Sequence, residues 1–99
     1  MKTPELSCII ISYNEEKYLP TLLNSLRMQT FQNFEIIVAD NNSTDKTREI
    51  AESYGCKVVK GGTWSTGRNR GAKHAKGKYL LFMDSDCYIP KNFLKQNLF

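Results

Sequence analysis

The sequence lacks any apolar run of membrane-spanning length. Its longest such runs, Cys8 to Ile11 and Tyr79 to Met83, are far short of the roughly 20 residues a spanning helix needs. Met1-Lys2-Thr3-Pro4-Glu5 carries no apolar stretch of the kind that directs secretion, so the expected location is cytoplasmic, extending to the inner face of the membrane for an intact, longer protein. Cysteine is scarce and odd in number. Cys8, Cys56 and Cys87 are widely spaced with no Cys-x-x-Cys pair, which removes the usual signatures of a zinc ribbon or a dithiol redox centre. Histidine and tryptophan occur once each; His74 reads as a surface helix residue and Trp64 as a loop-packing one. The first expected turn, Ser12-Tyr13-Asn14-Glu15-Glu16, has no glycine, so it is not a dinucleotide fingerprint. Gly61-Gly62-Thr63-Trp64-Ser65-Thr66-Gly67-Arg68 lacks the Gly-Lys-Ser/Thr ending of a P-loop.

What is present fits one small domain. In 99 residues, 40% hydrophobic and 24% charged content is ordinary for a folded protein and excludes wholesale disorder. The net charge is +4. Its basic residues are spread along the chain rather than gathered as nucleic-acid binding would require, except between Arg68 and Lys78. There Arg68, Arg70, Lys73, Lys76 and Lys78 form either a solvated helix face or a site for a polyanion such as a diphosphate.

Apolar segments of strand length alternate with helical periodicity. Strands are expected at Glu5 to Tyr13, Glu35 to Asp40, Lys57 to Lys60 and Lys78 to Met83. The near-continuous run Cys8-Ile9-Ile10-Ile11 suits a parallel strand covered on both faces. Helices are expected from about Lys17 to Met28, with Pro20 in the first turn, from a cap at Asn42 or Ser43 to Tyr54, and from about Ser65 to Ala75. Gly55 supplies a left-handed C′ position, and Pro90 opens a last helix as its first residue. The order βαβαβαβ predicts an α/β fold with a Rossmann-like, mostly parallel sheet and flanking helices. A chain ending inside a helix at Asn97-Leu98-Phe99 reads as the first part of a larger domain, with an exposed sheet edge and hence self-association expected.

In open parallel sheets ligands bind beyond the carboxyl ends of the strands. Those ends deliver Tyr13-Asn14-Glu15, Asp40-Asn41-Asn42, Gly61-Gly62 and Asp84-Ser85-Asp86. Polar and acidic groups therefore converge at one edge. Asp84 and Asp86, two residues apart in extended backbone, can face one cation, and hard ions such as Mg²⁺ or Mn²⁺ take carboxylate and phosphate oxygens. Solvated turn aspartates are the plainer alternative. Asp40 can accept from a base or ribose, or else cap the next helix. Tyr13 can stack on a base, or else pack at the sheet edge. Arg68 and Arg70 lie near a helix start, where anions are favoured.

At this point the motifs resemble a known family. Ile10-Ile11-Ser12-Tyr13-Asn14-Glu15-Glu16 resembles the opening strand and turn of family-2 glycosyltransferases of the GT-A fold. Val38-Ala39-Asp40-Asn41-Asn42-Ser43-Thr44-Asp45 is similar to their second signature, and Gly67-Arg68-Asn69-x-Gly71 with Ala75-x-Gly77-x-Tyr79 to their third. Phe82-Met83-Asp84-Ser85-Asp86 matches their metal-binding Asp-x-Asp. The motifs run in order from Leu6 to Pro90. Residues 1–99 would then be the nucleotide-sugar-binding N-terminal part of the domain, without the acceptor-binding half.

The resemblance implies that Tyr13 and Asp40 contact the base, with Asn14 and Glu15 beside them. Arg68 and Asn69 would lie near the nucleotide or its diphosphate. Asp84 would approach the ribose or metal, and Asp86 would hold Mn²⁺ or Mg²⁺. The implied reaction is a metal-dependent, inverting transfer of a sugar from a nucleotide-diphosphate sugar, a UDP-sugar first, to an acceptor hydroxyl on a saccharide, lipid or protein. No catalytic base is assigned within the chain, so the chain alone is expected to be inactive. Asn41 departs from a frequent second aspartate, Ile11 from a frequent proline, and Cys87 from a frequent acid. A non-catalytic nucleotide-binding fragment is the alternative. A response-regulator-like α/β domain is another, but it expects paired acids after the first strand.

Overall fold

A computed structural model describes residues 3–98; Met1, Lys2 and Phe99, which enter the readings of the two chain ends, lie outside them. The elements alternate as expected: β1 (Leu6–Ser12), α1 (Leu19–Arg27), β2 (Phe34–Asp40), α2 (Thr47–Ser53), β3 (Lys57–Lys60), α3 (Trp64–Lys73), β4 (Tyr79–Asp84) and α4 (Phe93–Leu98). The four strands form one sheet in the order β3-β2-β1-β4, with every pairing parallel. β1 is thus an interior strand. Its isoleucine run needs cover on both faces, and it receives it.

Alternation along β1 sorts its side chains. Leu6, Cys8 and Ile10 join one buried cluster with Leu19, Leu22, Leu23 and Leu26 of α1, Val38 of β2, Ala51 of α2 and Leu94 of α4. The α1 leucines recur at the spacing that makes one helical stripe, and Pro20 occupies the first turn. Each fully buried Leu or Ile contributes on the order of 1.5–3 kcal/mol. Ile9 and Ile11 point to the other face, toward α3. That helix brings no large apolar stripe to the sheet; it comes close by lacking side chains. A Cβ on Gly71 would stand 2.4 Å from Ile9 Cγ2, and one on Gly67 would stand 3.3 Å from Ile11 Cγ2. Arg68, Asn69, Arg70 and Lys73 are left exposed on its outer side. Among the described residues no helix is long and apolar enough to cross a membrane.

Two helix starts, those of α2 and α4, differ from expectation by three residues or more. α2 begins at Thr47, not after a cap at Asn42 or Ser43. Asn42 adopts a left-handed φ of 52°, and the Ser43 hydroxyl is engaged with the Asp40 carboxylate, so neither is free to cap. Asp45 takes the role instead, accepting from the Thr47 N–H at 2.9 Å. α4 begins at Phe93, three residues past Pro90. The Pro90 and Lys91 carbonyls accept from Gln29 Nε2 at 2.7 Å and the Thr30 N–H at 2.8 Å, which ties this stretch to the end of α1. Gly55, with φ of 81°, closes α2 as expected.

Three predictions follow from this packing. A Cβ on Gly77 would lie 2.5 Å from the Ser7 nitrogen and 2.6 Å from the Leu6 carbonyl carbon, and backbone of an interior strand cannot step aside. Gly77→Ala should therefore lower stability by about 1–3 kcal/mol in urea denaturation; an unchanged midpoint would remove this account. Burial pushes the Cys8 thiol up to about 12 and the Cys56 thiol up to about 11 from an ordinary 9.0. In the native protein at pH 8, a maleimide should label half-buried Cys87 and spare the other two. Both thiols stay protonated in the fold but ionise on unfolding, so stability should fall as pH rises from about 9 toward 11–12, measured as urea midpoint against pH.

Candidate functional site

Strand parity decides which terminal residues meet. Ile11 of β1 is in register with Asp84 of β4, so Asp84 stands on the α3 side of the sheet. The turn after it carries Ser85 and Asp86 to the same rim. A cleft of about 480 Å³ opens there, lined by Ile11, Ser12, Tyr13 and Glu15 after β1, by Asn41 after β2, by Gly62, Thr63 and Trp64 at the start of α3, and by Asp84, Ser85 and Asp86 after β4. Of the residues singled out in the sequence, Tyr13, Glu15, Asp84 and Asp86 are brought together. Tyr13 is 56% exposed, so its ring is available rather than packed.

The acids form the polar centre of the cleft. Oxygens of Asp84 and Asp86 and the Cys87 Sγ all lie within 4.8 Å of one another. Desolvation raises the Glu15 carboxyl above its ordinary value, and the like charges of Asp86, Asp45 and Asp84 raise it further. Carboxylates that repel at this range are relieved by a shared cation. An open pair of oxygen donors suits a hard divalent ion that keeps other positions for water or phosphate. Asp84 and Asp86 are therefore the residues that could hold a hard divalent ion such as Mn²⁺ or Mg²⁺.

Asp40 lies elsewhere. It shares the parity of Ile36 and Val38, so its side chain points to the α2 face and away from the cleft. It is 3% exposed and fully engaged: it accepts from Ser12 Oγ at 2.9 Å and from the Ser43 N–H at 2.9 Å. It also accepts from the Ser43 hydroxyl and stands 3.6 Å from Arg48 Nε. Asn14 serves the same junction. With a left-handed φ of 49°, its Oδ1 accepts from the Thr44 N–H at 2.8 Å, while its own N–H donates to Ser43 Oγ at 2.8 Å. The Glu15 N–H donates to Thr47 Oγ1 at 2.8 Å. The β1–α1 and β2–α2 loops are clasped together by these bonds, and the clasp sets where Tyr13 and Glu15 emerge. Asp40 and Asn14 thus stand behind the cleft wall.

Arg68 and Asn69 are exposed on α3 and do not line the cleft. The Arg68 guanidinium lies 4.4 Å from the Phe82 ring centroid and 5.7 Å from that of Trp64. Phe82 precedes Asp84 by two residues on the same face, so Arg68 sits one step from the acids. Asn41 and Trp64 line the cleft although the sequence gives neither a ligand role. Asn41 takes the cleft-facing place that parity denies Asp40. Trp64, expected to pack in its loop, is 48% exposed because α3 begins at it, one residue earlier than periodicity indicated.

Comparison with known proteins accords with this arrangement. The sequence model of glycosyl transferase family 2 matches residues 7–98. The poly(ribitol-phosphate) beta-N-acetylglucosaminyltransferase TarS of Staphylococcus aureus is 45% identical over 101 residues, covering 92% of this chain and 18% of TarS. The crystal structure of TarS 1–349 in complex with UDP-GlcNAc superposes with a TM-score of 0.85 at 40% identity, over 95% of this chain and 30% of that one. The mannosyltransferase PcManGT of Pyrobaculum calidifontis, in complex with GDP-Man and Mn²⁺, shares the fold at a TM-score of 0.79 and 22% identity, over 90% of this chain and 29% of its own. The chain spans less than a third of each of these relatives. Its parallel sheet with flanking helices is the Rossmann-like first portion of a GT-A fold, and the chain belongs to glycosyl transferase family 2.

Proposed function

We propose that residues 1–99 form the donor-nucleotide and metal-binding part of a metal-dependent, inverting glycosyltransferase that takes a sugar from a UDP-sugar to an acceptor hydroxyl. The observation that carries this is the meeting of Asp84, Asp86 and Glu15 with the exposed Tyr13 ring in one cleft at the carboxyl ends of the strands. Asp84 and Asp86 would hold Mn²⁺ or Mg²⁺, which when bound supplies Lewis-acid stabilisation of the departing diphosphate. Tyr13 offers a face for the base. Asp40 and Asn14 position that ring through the loop clasp, a positioning role in place of direct base contact. Arg68, with Asn69 beside it, stands at the α3 side of the acids and favours an anion approaching from there. No residue of the chain is assigned as the base that activates the acceptor, so donor binding without turnover is the expected behaviour of the chain alone.

Titration calorimetry with UDP, with and without Mn²⁺, tests the reading. Metal-dependent binding is expected. Since outer-shell partners already cost 10–100-fold in metal affinity, loss of a direct ligand in Asp86→Ala should weaken it by about 100-fold. Equal binding by wild type and Asp86→Ala would overturn the metal assignment. Self-association belongs to the same proposal. Among the described residues β4 pairs only with β1, and Tyr79 and Leu80 on it are 46% and 43% exposed, whereas the outer strand β3 is short and flanked by Lys57 and Lys60. Sedimentation of the chain should show a concentration-dependent dimer that Leu80→Lys weakens; one monomeric species at every concentration would remove this part.

A further inference from the structure

We propose that Trp64 is an aromatic wall of the donor cleft, stacking on the nucleobase together with Tyr13; this rests on the nucleotide-binding reading above. Trp64 lines the cleft and is 48% exposed. An indole left half in water on an otherwise polar rim forgoes a large burial energy, which a planar ligand would recover. The ring does not hang loose. Arg68, one turn further along α3, lies 5.7 Å from its centroid and 4.4 Å from that of Phe82, so a Trp64–Arg68–Phe82 stack ties the indole to the strand that carries Asp84.

The composition of the lining selects the base over the sugar. The acids gather where a cation and diphosphate would sit. Besides the acids and Ser85, the lining consists of Ile11, Ser12, Tyr13, Asn41 and Gly62-Thr63-Trp64. Aromatic faces suit a planar heterocycle, and the Asn41 amide can both donate to and accept from its edge. Stacking on aromatic side chains depends little on which base is present. Trp64 therefore contributes affinity for nucleotides in general, and the Asn41 amide contributes whatever discrimination there is.

Trp64 is the single tryptophan of the chain, so its fluorescence reports this contact alone. With Mn²⁺ present, UDP should quench the emission saturably, with the same midpoint as calorimetry gives. UMP, which carries the base without the second phosphate, should reach the same end point at higher concentration. Trp64→Phe, which keeps a ring, should bind UDP within about threefold of wild type. Trp64→Ala should bind at least about fivefold more weakly, the lower end of the stacking range, with an unchanged urea midpoint. Calorimetric UDP binding with silent fluorescence and an undiminished Trp64→Ala affinity would overturn this inference alone. Quenching by UDP-GlcNAc but not by UDP would overturn it by placing the sugar on the indole. No calorimetric binding of UDP at all would overturn both this inference and the reading beneath it.

Discussion

Alternation of side chains along a parallel strand is the constraint on which the site depends. Four strands running the same way bring their carboxyl ends to one edge, but each end has two faces, and only one opens on the cleft. On β4 the face toward α3 receives Phe82 and Asp84; on β1 it receives Ile9 and Ile11, which are in register with them. On β2 it receives Ile37 and Ala39, so the strand's last residue, Asp40, is turned under the sheet and the next residue, Asn41, reaches the cleft. A slip of one position in any strand would exchange an acid in the cleft for an acid in the core. The burial of Cys8, Ile10 and Val38 on the α1 side prevents that slip, so the hydrophobic core fixes the chemistry of the rim.

The second dependence is on absence of side chains. α3 leaves Trp64, Ser65, Arg68, Asn69, Arg70 and Lys73 exposed, and it reaches the sheet through Gly67 and Gly71. Close approach over Ile9 and Ile11 brings the first turn of α3 down to the strand ends. Trp64 thereby joins the cleft and Arg68 lies against Phe82. Larger residues at the two glycines would lift the helix and open the rim. The same glycines leave the basic residues no place but outside, which accounts for the cationic stretch without invoking nucleic acid.

Much of this was legible in the sequence because it is written in short-range patterns. The isoleucine run gave β1 its interior place, the leucine spacing gave α1 its buried stripe, and Asp84 with Asp86 followed an apolar strand as a site should. Part of what was not legible depends on contacts across 29 to 61 residues. Asn42 and Ser43 look like helix caps, yet Ser43 is claimed by Asp40 and by the backbone of Asn14. Pro90 looks like a helix start, yet Gln29 and Thr30 hold the chain there in a turn. Asp40 looks like a cleft residue because it is acidic and terminal, yet the face it takes in the sheet turns its side chain to Ser12 and Ser43. Trp64 was read as packing because a glycine-rich loop was expected around it, and one residue of helix start moved it to the cleft.

The charge of the chain and the charge of its cleft have opposite signs, and this shapes how a donor can enter. The whole is +4, yet the cleft gathers Glu15, Asp84 and Asp86, and their mutual repulsion adds to desolvation in raising the Glu15 carboxyl. Two unit charges at about 4 Å interact by about 4 kcal/mol at an effective dielectric of about 20. A diphosphate approaching such a rim meets repulsion from the acids unless a divalent cation stands between them. On the proposed reading, a cation held by Asp84 and Asp86 would gain from phosphate oxygens, and metal and nucleotide would each complete the other's site. The exposed rings of Tyr13 and Trp64 would add a contact that does not depend on charge, and Arg68, one step from the acids beside Phe82, would favour an anion on the α3 side. An acidic cleft in a basic protein is then no contradiction: the carboxylates would select the cation, and the cation together with the basic helix would select the anion.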